Sequence, residues 1–274
     1  MRTVAHLSDL HFGADDPVVV AALIDCVRDL QPHVVAVSGD LTQRARASQF
    51  RRARAFLDAL PFARVVVPGN HDVPLYNLFA RFGDPVRGFR RHISPERNPL
   101  FVDSEVALIG ADTTRSFTVK DGGLTSRDVA VLVTLLEDLP TDLVKIIVCH
   151  HPFDAPVTRT ARLTVPAADR EALSTLVAAG ADIFLTGHLH LSHVCHTAIR
   201  YSAPDHAAIA VEAGSATSIR RRGESNSFNV LRIEGMRIVV QRLTWNADTR
   251  RFSISQADVF VRNGDDWTAA PGHR

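Results

Sequence analysis

The 274-residue sequence is poor in cysteine, in net charge and in long apolar runs. Its three cysteines, Cys26, Cys149 and Cys195, follow no metal-binding spacing, so they predict reduced thiols and a cytoplasmic setting. A net charge of +1 offers no global attraction to nucleic acid, and no nucleic-acid polymer is expected as a partner. No apolar run approaches the ~20 residues of a membrane span, and no charged-then-apolar leader opens the sequence.

What is present is enough apolar material for a sizeable core. Hydrophobic residues make up 46% of the chain and charged residues 22%, which is typical of a globular protein. The length allows one large or two small domains. Because no internal repeat or low-complexity linker is visible, we expect a single domain over residues 1–274, with a strand-rich second half at 191–274.

The first seventy residues alternate predicted strands with predicted helices. Residues 2–8, 33–38 and 65–67 read as strands, and the continuous apolar run at 33–38 indicates burial on both faces. Asp16 followed by Pro17 predicts a helix start, and residues 49–60 predict a second helix. This alternation favours a parallel sheet with helices on both sides.

The later sequence continues the alternation and then becomes richer in strands. The pattern predicts strands at 100–102, 107–110, 144–149 and 182–186, and helices at 126–139 and 167–179. Four further short strands, at 208–211, 229–233, 238–245 and 252–255, predict an antiparallel second sheet. Between these parts, the less regular residues 75–99 hold five arginines. They are either a solvated basic face or a cap insertion that meets an anionic substrate.

Polar side chains follow five of the predicted strands, where each strand ends. They are Asp9 with His11, Asp40, Asn70 with His71, His150, and His188 with His190. Taken singly, each has an ordinary reading, such as an Asp–His hydrogen bond or a turn. Together they supply the oxygen and nitrogen ligands that two metal ions need, with one carboxylate shared. Mixed Asp, Asn and His ligands suit Mn²⁺, Fe or Zn²⁺, and an all-thiolate site is excluded.

Five motifs span residues 6–190 in a specific order: Asp-x-His, Gly-Asp-x-x-x-Arg, Gly-Asn-His-Asp, His-His-Pro and Gly-His-x-His. This series resembles the calcineurin-like metallophosphoesterase family. Within that family, class III cyclic-nucleotide phosphodiesterases and glycerophosphodiesterases are the most similar, because they share His-His-Pro and the compact size. The resemblance implies a four-layer α/β/β/α sandwich with two mixed sheets and a dinuclear metal site at the C-terminal ends of strands.

The resemblance also implies a ligand set for two divalent or mixed-valence transition metal ions. One ion would be held by two carboxylates and two histidines: Asp9, His11, Asp40 and His190. The second would share the bridging Asp40 and add an amide and two imidazoles: Asn70, His150 and His188.

Further residues are expected to act on the substrate. His71 matches the family's non-ligand histidine beside the leaving group, and many relatives orient that histidine with Asp or Asn where this chain has Gln43. Arg44, His151 and Arg221 are candidate substrate contacts, although an ordinary surface role for Arg44 fits equally well.

The expected function is a dinuclear metal-dependent phosphodiesterase. Two ions ~3.5–4 Å apart would hold a bridging hydroxide that attacks a phosphate ester, with cyclic nucleotides as one candidate substrate. The alternatives are a phospholipid head-group hydrolase, a phosphomonoesterase or a non-catalytic binding scaffold. A small phosphate ester is the expected partner. A membrane surface would be a partner only for a phospholipid substrate, and a homodimer is one option by resemblance.

Overall fold

The computed structural model describes residues 1–118, 121–153, 167–196, 207–220, 223–264 and 266–270. Its strands in chain order are β1 (Arg2–Leu7), β2 (Val34–Ser38), β3 (Ala63–Val67), β4 (Leu100–Val102), β5 (Val106–Ala111), β6 (Val144–Cys149), β7 (Ile183–Thr186), β8 (His193–His196), β9 (Ile209–Glu212), β10 (Ser227–Glu234), β11 (Arg237–Asn246), β12 (Arg251–Asn263) and β13 (Asp266–Ala269). Its helices are α1 (Pro17–Leu30), α2 (Ala47–Asp58), α3 (Leu78–Gly83), α4 (Arg87–His92), α5 (Ser126–Glu137) and α6 (Ala167–Ala178).

The strands form two mixed sheets. The first has the order β13-β12-β11-β10-β1-β2-β3, with β1, β2 and β3 parallel and β10 antiparallel to β1. The second has the order β4-β5-β6-β7-β9-β8, with four parallel strands flanked by antiparallel β4 and β8. The expectation that the late strands make the second sheet was therefore wrong for β10 to β13. They extend the first sheet because β10 pairs with the edge of β1 that does not pair with β2.

The four predicted layers are confirmed by where the apolar residues are buried. Val4, Val65, Ile146 and Leu185 lie in the apolar layer between the two sheets. On the outer face of the first sheet, α1 and α2 cover a core built around Phe12, Phe50 and Phe228. On the outer face of the second sheet, a core that includes Leu132 of α5 and Leu176 of α6 completes the α/β/β/α sandwich.

Several element boundaries follow from identifiable local contacts. The side chain of Asp16 accepts from the Val18 N–H and caps α1, as predicted. Helix α2 begins two residues before the predicted start. There the Oε1 atom of Gln49 accepts from the N–H groups of Arg44 and Arg46, which closes the turn in front of the helix. The predicted four-residue strand at 252–255 is part of the thirteen-residue β12.

Residues 75–99 form the two short helices α3 and α4. Helix α4 packs against the body of the protein through Phe89, and its His92 ring stacks on Phe50 at a centroid distance of 5.9 Å. Of the five arginines in this segment, Arg81 is buried and makes its contacts inside the protein, so it is not part of a solvated face. Whether the segment caps the site stays a prediction.

No helix among the described residues is long and apolar enough to cross a membrane.

Candidate metal centre

The site lies where the C-terminal ends of both sets of parallel strands meet. Beyond β1 and β2, the two loops run side by side, since the His11 N–H donates to the Asp40 carbonyl at 2.9 Å. Across the two sheets, a ring nitrogen of His150 after β6 lies 2.8 Å from the Ser38 carbonyl at the end of β2. The His188 N–H donates to Asp9 Oδ2 at 3.1 Å. Loops from both sheets are thereby joined at one place.

Five of the predicted metal ligands have a left-handed backbone. Asp9, His11, Asp40, His188 and His190 all have φ between 48° and 74°. This conformation costs a non-glycine residue about 1–2 kcal/mol. Such strain concentrates at functional sites, where the surrounding structure holds it in place. The loops therefore aim these side chains at the expense of local stability.

The first predicted ligand group is brought together around Asp9. Asp9 Oδ1 lies 3.4 Å from His11 Nε2 and 3.2 Å from His190 Nε2, and these two ring nitrogens are 3.2 Å apart. Asp40 joins the group, with its Oδ2 3.6 Å from His11 Nε2. All four predicted residues of this group converge, and Asp9, His11 and Asp40 are completely or almost completely buried.

The second predicted ligand group converges on the other side of Asp40. Asp40 Oδ2 is 3.4 Å from His150 Nε2. The amide oxygen of Asn70 lies 3.1 Å from both His150 Nε2 and His188 Nδ1. Those two ring nitrogens are 3.3 Å apart. Asp40 is thus shared by the two groups, as the resemblance implies.

The donor atoms fit metal ions better than they fit one another. Asp9 Oδ1 is buried and has no hydrogen-bond partner among the described residues, although two imidazole nitrogens point at it. Lone pairs that converge in a buried space are the arrangement that a cation satisfies. Without a cation, a proton on His150 offsets the buried negative charge. Burial opposes the charged form of His150, but the nearby Asp40 outweighs that effect and raises the pKa of His150 to about 9. A metal ion would displace that proton.

Close approach of the loops requires glycine at several points. A Cβ atom on Gly69 would lie 2.2 Å from Asp40 Oδ1 and 2.4 Å from the Asp40 backbone nitrogen. A Cβ atom on Gly39 would lie 2.7 Å from a ring nitrogen of His150. Both glycines belong to the motifs singled out above, and both make room for a predicted ligand.

We expect Gly69→Ala to weaken metal binding at least tenfold and to lower the free energy of unfolding by about 1–3 kcal/mol, because the new methyl group collides with backbone. Isothermal titration with Mn²⁺ and denaturant unfolding measure the two effects. Gly83→Ala is the matched control, since a Cβ there meets nothing within 4 Å. Equal metal affinity in the two variants would contradict the steric argument.

His71 stands beside the shared carboxylate. Its backbone N–H donates to Asp40 Oδ1 at 2.8 Å, and its ring contacts His11 edge-on at a centroid distance of 4.8 Å. Its Nδ1 lies 3.0 Å from the Gln43 carbonyl, so Nδ1 carries the proton and Nε2 is left for chemistry. Burial lowers the pKa of His71, and the charges of His11 and Arg220 lower it further against the opposing effect of Asp40.

The resemblance implies Asp or Asn where this chain has Gln43, and the structure shows how Gln43 contacts His71. The Gln43 side chain is buried, and its Nε2 lies 3.3 Å from His71 Nδ1. When Nδ1–H donates its hydrogen bond to the Gln43 carbonyl, both Nδ1 and the Gln43 Nε2 are donors, so they cannot bond to each other. The main-chain carbonyl, rather than the side-chain amide, therefore fixes the His71 ring.

Asp72 was not predicted to have a role, yet it ties two loops together. Its carboxylate accepts from the N–H groups of Gly69, Leu41 and Thr42 and from the Thr42 hydroxyl. Burial and the nearby Asp40 charge raise the pKa of Asp72 to about 6. The Gly-Asn-His-Asp motif could have indicated this role, because Asp72 directly follows the predicted ligand Asn70 and the predicted catalytic residue His71.

The predicted substrate contacts have different surroundings. Arg44 is exposed, and its guanidinium lies 5.7 Å from the centre of the Tyr76 ring. His151 is buried beside the second ligand group, with its Nδ1 2.8 Å from the Thr113 hydroxyl. Arg221 lies outside the described residues. Its neighbour Arg220 is exposed and close enough for its charge to lower the pKa of His71.

A late segment of the chain supports the first ligand loop, which the sequence pattern did not predict. The Ser215 hydroxyl donates to the Asp9 carbonyl at 2.9 Å, and the Thr217 hydroxyl donates to the Leu10 carbonyl at 2.6 Å. The Asn226 amide in turn donates to the carbonyls of Ser215 and Ser218. These contacts fix the segment that leads to Arg220.

Two largely buried groups of predicted ligands share a carboxylate and have an imidazole beside them, an arrangement that suits a metal-dependent hydrolase. The family profile described as calcineurin-like phosphoesterase matches residues 2–192 of this sequence. The chain belongs to the calcineurin-like phosphoesterase family.

One curated relative is similar in sequence. The glycerophosphodiester phosphodiesterase GpdQ of Enterobacter lignolyticus is 30% identical over 167 residues, which cover 54% of this chain and 56% of that protein. The chain therefore matches little more than half the length of this relative.

Solved structures share the fold at low sequence identity. A purple acid phosphatase from yellow lupin, PPD1, superposes with a TM-score of 0.71 at 12% identity over 96% of this chain and 54% of that one. Vps29 of Chaetomium thermophilum superposes with a TM-score of 0.52 at 11% identity over 96% and 98% of the two chains. These likenesses confirm the fold.

Proposed function

We propose that this protein is a dinuclear metal-dependent phosphodiesterase. The observation that carries the proposal is the convergence of two ligand groups on Asp40, with His71 held against the same carboxylate. Two metal ions bound there would activate a water molecule and neutralise phosphoryl oxygens. Mn, Fe or Zn suits the donor set of carboxylates, amide and imidazoles.

The chain's own residues supply the remaining steps. Hydrolysis forms a bond between a water oxygen and phosphorus and breaks the bond from phosphorus to the leaving alkoxide. In this proposal the doubly protonated His71 donates its Nε2 proton to the leaving alkoxide, while its Nδ1–H stays bonded to the Gln43 carbonyl. Solvent takes the proton that the attacking water loses and reprotonates Nε2 after each turnover. Arg44 and Arg220 lie exposed at the same side and would attract an anionic ester. His151 would meet the substrate or support His150.

A diester is favoured over a monoester by the sequence relative. The similar region of GpdQ belongs to a protein named for hydrolysis of glycerophosphodiesters. A diester carries one negative charge, so it needs fewer cationic contacts than a phosphomonoester dianion. Cyclic nucleotides, glycerophosphodiesters and phospholipid head groups are the diester classes to test.

We expect the metal-reconstituted protein to hydrolyse bis(p-nitrophenyl) phosphate with a kcat/KM at least tenfold above that for p-nitrophenyl phosphate. The measurement uses chelator-treated protein with added Mn²⁺, and release of p-nitrophenolate is followed by absorbance. The metal-free protein is the control. A preference for the monoester would replace the proposal with a phosphomonoesterase and make Arg44 the leading dianion contact.

A non-catalytic scaffold is the second candidate, because Vps29 (vacuolar protein sorting 29) shares this fold. The proposed ligand set argues against it, since every predicted position is occupied by a residue able to bind metal. A purified chain that binds no transition metal and hydrolyses neither ester with Mn²⁺ would favour the scaffold.

A further inference from the structure

Helix α3 is built with its apolar side chains outward. Phe79 is 96% exposed, and Leu78 and Phe82 are also exposed, whereas Arg81 of the same helix is only 5% exposed. In a helix on a protein surface, apolar residues normally face the core and charged residues face water. The reversal is therefore a feature that the interior of this chain does not explain.

Arg81 holds the helix in this orientation. Its guanidinium donates to the carbonyls of Pro74 at 3.3 Å and Ser116 at 2.7 Å, and it also donates to the Thr118 carbonyl. Three carbonyl acceptors compensate for the burial of the charged group. Because these contacts fix the Arg81 side of the helix, the opposite side with Phe79 must face away from the protein.

Exposed aromatic residues on both sides of the helix in sequence join its exposed side chains in what we call the aromatic patch. The patch consists of Tyr76, Leu78, Phe79, Phe82 and Phe117. The Phe117 ring is 90% exposed and lies 5.5 Å from the Phe82 ring. Tyr76 is 78% exposed, under the guanidinium of Arg44. Contiguous exposed apolar groups of this kind mark surfaces that bind a partner.

The charges of residues 75–99, the segment that carries most of the aromatic patch, select the kind of partner. Residues 75–99 contain five arginines and only two acidic residues, Asp84 and Glu96. Arg87 and Arg91 are exposed, and neither forms an ion pair within the part of the chain that the structure describes. A symmetric contact between two copies of this chain through residues 75–99 would bring the two sets of arginines together. Aromatic and basic groups together match an anionic lipid surface, which accepts both.

The aromatic patch is connected to the metal centre on two sides. Arg44, which covers Tyr76, directly follows Gln43, whose carbonyl fixes His71. The loop that holds Phe117 begins near Thr113, whose hydroxyl bonds to His151. The patch and the proposed catalytic residues therefore belong to neighbouring loops.

We propose that the aromatic patch docks this protein onto the surface of an anionic phospholipid bilayer, where the metal centre meets phosphodiesters of lipid head groups. The nature of the substrate in this statement rests on the proposed function, whereas the docking itself does not. Phe79, Phe82 and Phe117 enter the boundary between head groups and acyl chains, and the surrounding arginines contact lipid phosphates.

Co-sedimentation of the full chain with vesicles tests the docking. One set of vesicles is phosphatidylcholine alone, and the other is phosphatidylcholine and phosphatidylglycerol in equal parts. We expect clear binding to the anionic set, weakened by added salt. We expect about tenfold weaker binding for the double variant Phe79→Ala/Phe82→Ala. Ile254→Ala is the matched control, because Ile254 is also exposed but lies on β12.

Three results would overturn the proposal: a wild-type protein that stays in solution with both vesicle sets, equal vesicle binding by the double variant and the Ile254→Ala control, or a dimer in sedimentation velocity that the double variant dissociates. Turnover of a soluble diester separates the two proposals. Vesicle binding without diester hydrolysis would reject the proposed function and leave the docking supported, and hydrolysis without vesicle binding would do the reverse.

Discussion

Replacement of Asp40 by alanine is expected to abolish binding of both metal ions and to lower turnover by more than ~100-fold. Asp40 Oδ2 is the atom common to both ligand groups, at 3.6 Å from His11 Nε2 and 3.4 Å from His150 Nε2. Its removal leaves each group with one anionic ligand fewer. Metal content after gel filtration, measured by plasma emission spectrometry, gives the number of ions per chain directly.

A matched control for this experiment is Asp112→Asn. Asp112 also follows a strand and is partly buried, but its Oδ1 accepts from the N–H and hydroxyl of Thr114 and it makes no contact with a predicted metal ligand among the described hydrogen bonds and ion pairs. We expect Asp112→Asn to keep both ions. Metal added to wild type should also raise the melting temperature, and that shift should vanish in Asp40→Ala. Retention of two ions by Asp40→Ala would remove Asp40 from the bridging position.

Replacement of His71 by alanine is expected to leave both ions in place and to lower kcat by about a hundred- to ten-thousand-fold. The hydrogen bond from His71 to the predicted metal ligands is made by its main-chain N–H, which donates to Asp40 Oδ1 and which alanine keeps, whereas only the edge-on ring contact with His11 is lost. Alanine removes the imidazole whose Nε2 is proposed to donate a proton to the leaving group. Metal content and single-turnover rates on an aryl phosphodiester separate the two effects.

Gln43→Ala serves as the comparison for His71→Ala. Because the carbonyl of residue 43 survives this substitution, His71 Nδ1 keeps its acceptor and we expect kcat to fall no more than a few-fold. A leaving group of low pKa should also lessen the defect of His71→Ala, since such an alkoxide needs less protonation. If His71→Ala loses metal together with activity, His71 is a structural residue of the site rather than a proton donor.

Most helices and strands could be predicted because apolar residues recur at helical spacing in some segments and form short continuous runs in others. Continuous apolar strands such as Val34–Ser38 are typical of parallel sheets, and the family resemblance gave the four layers, which the structure confirms. The partner of β10 could not be predicted, because an alternating strand shows which face is buried but not which neighbour it pairs with. Strands β8 and β13 were missed because their sequences, HVCH and DWTA, lack the apolar run that indicated the equally short β7 and β9.

The candidate site was predictable at the level of which residues converge. Each predicted ligand follows a strand end, and strand ends of parallel sheets meet at one edge, so these positions indicated that the side chains converge. The division into two groups came from the family resemblance. Their roles as ligands stay predictions. The interactions behind them were not predictable: the Asp72 contacts, the Thr113 bond to His151 and the Ser215 bond to Asp9 join residues that are distant in the sequence. The orientation of helix α3 could not be predicted either, because its apolar residues are exposed and its arginine is buried, the reverse of the usual amphipathic pattern.

The pairing of β1 with β10 has a consequence for how the protein is made. Arg2 lies opposite Ile233, and the loop that carries Asp9 and Leu10 is held by Ser215 and Thr217, so these contacts form only after a further 206 or more residues have been synthesised. Contacts between such distant parts of a chain slow folding, because a long loop must close before they form. Until β10 is available, β1 would therefore expose an unpaired edge, a surface that is prone to incorrect pairing. Metal capture would be among the final events of its biogenesis.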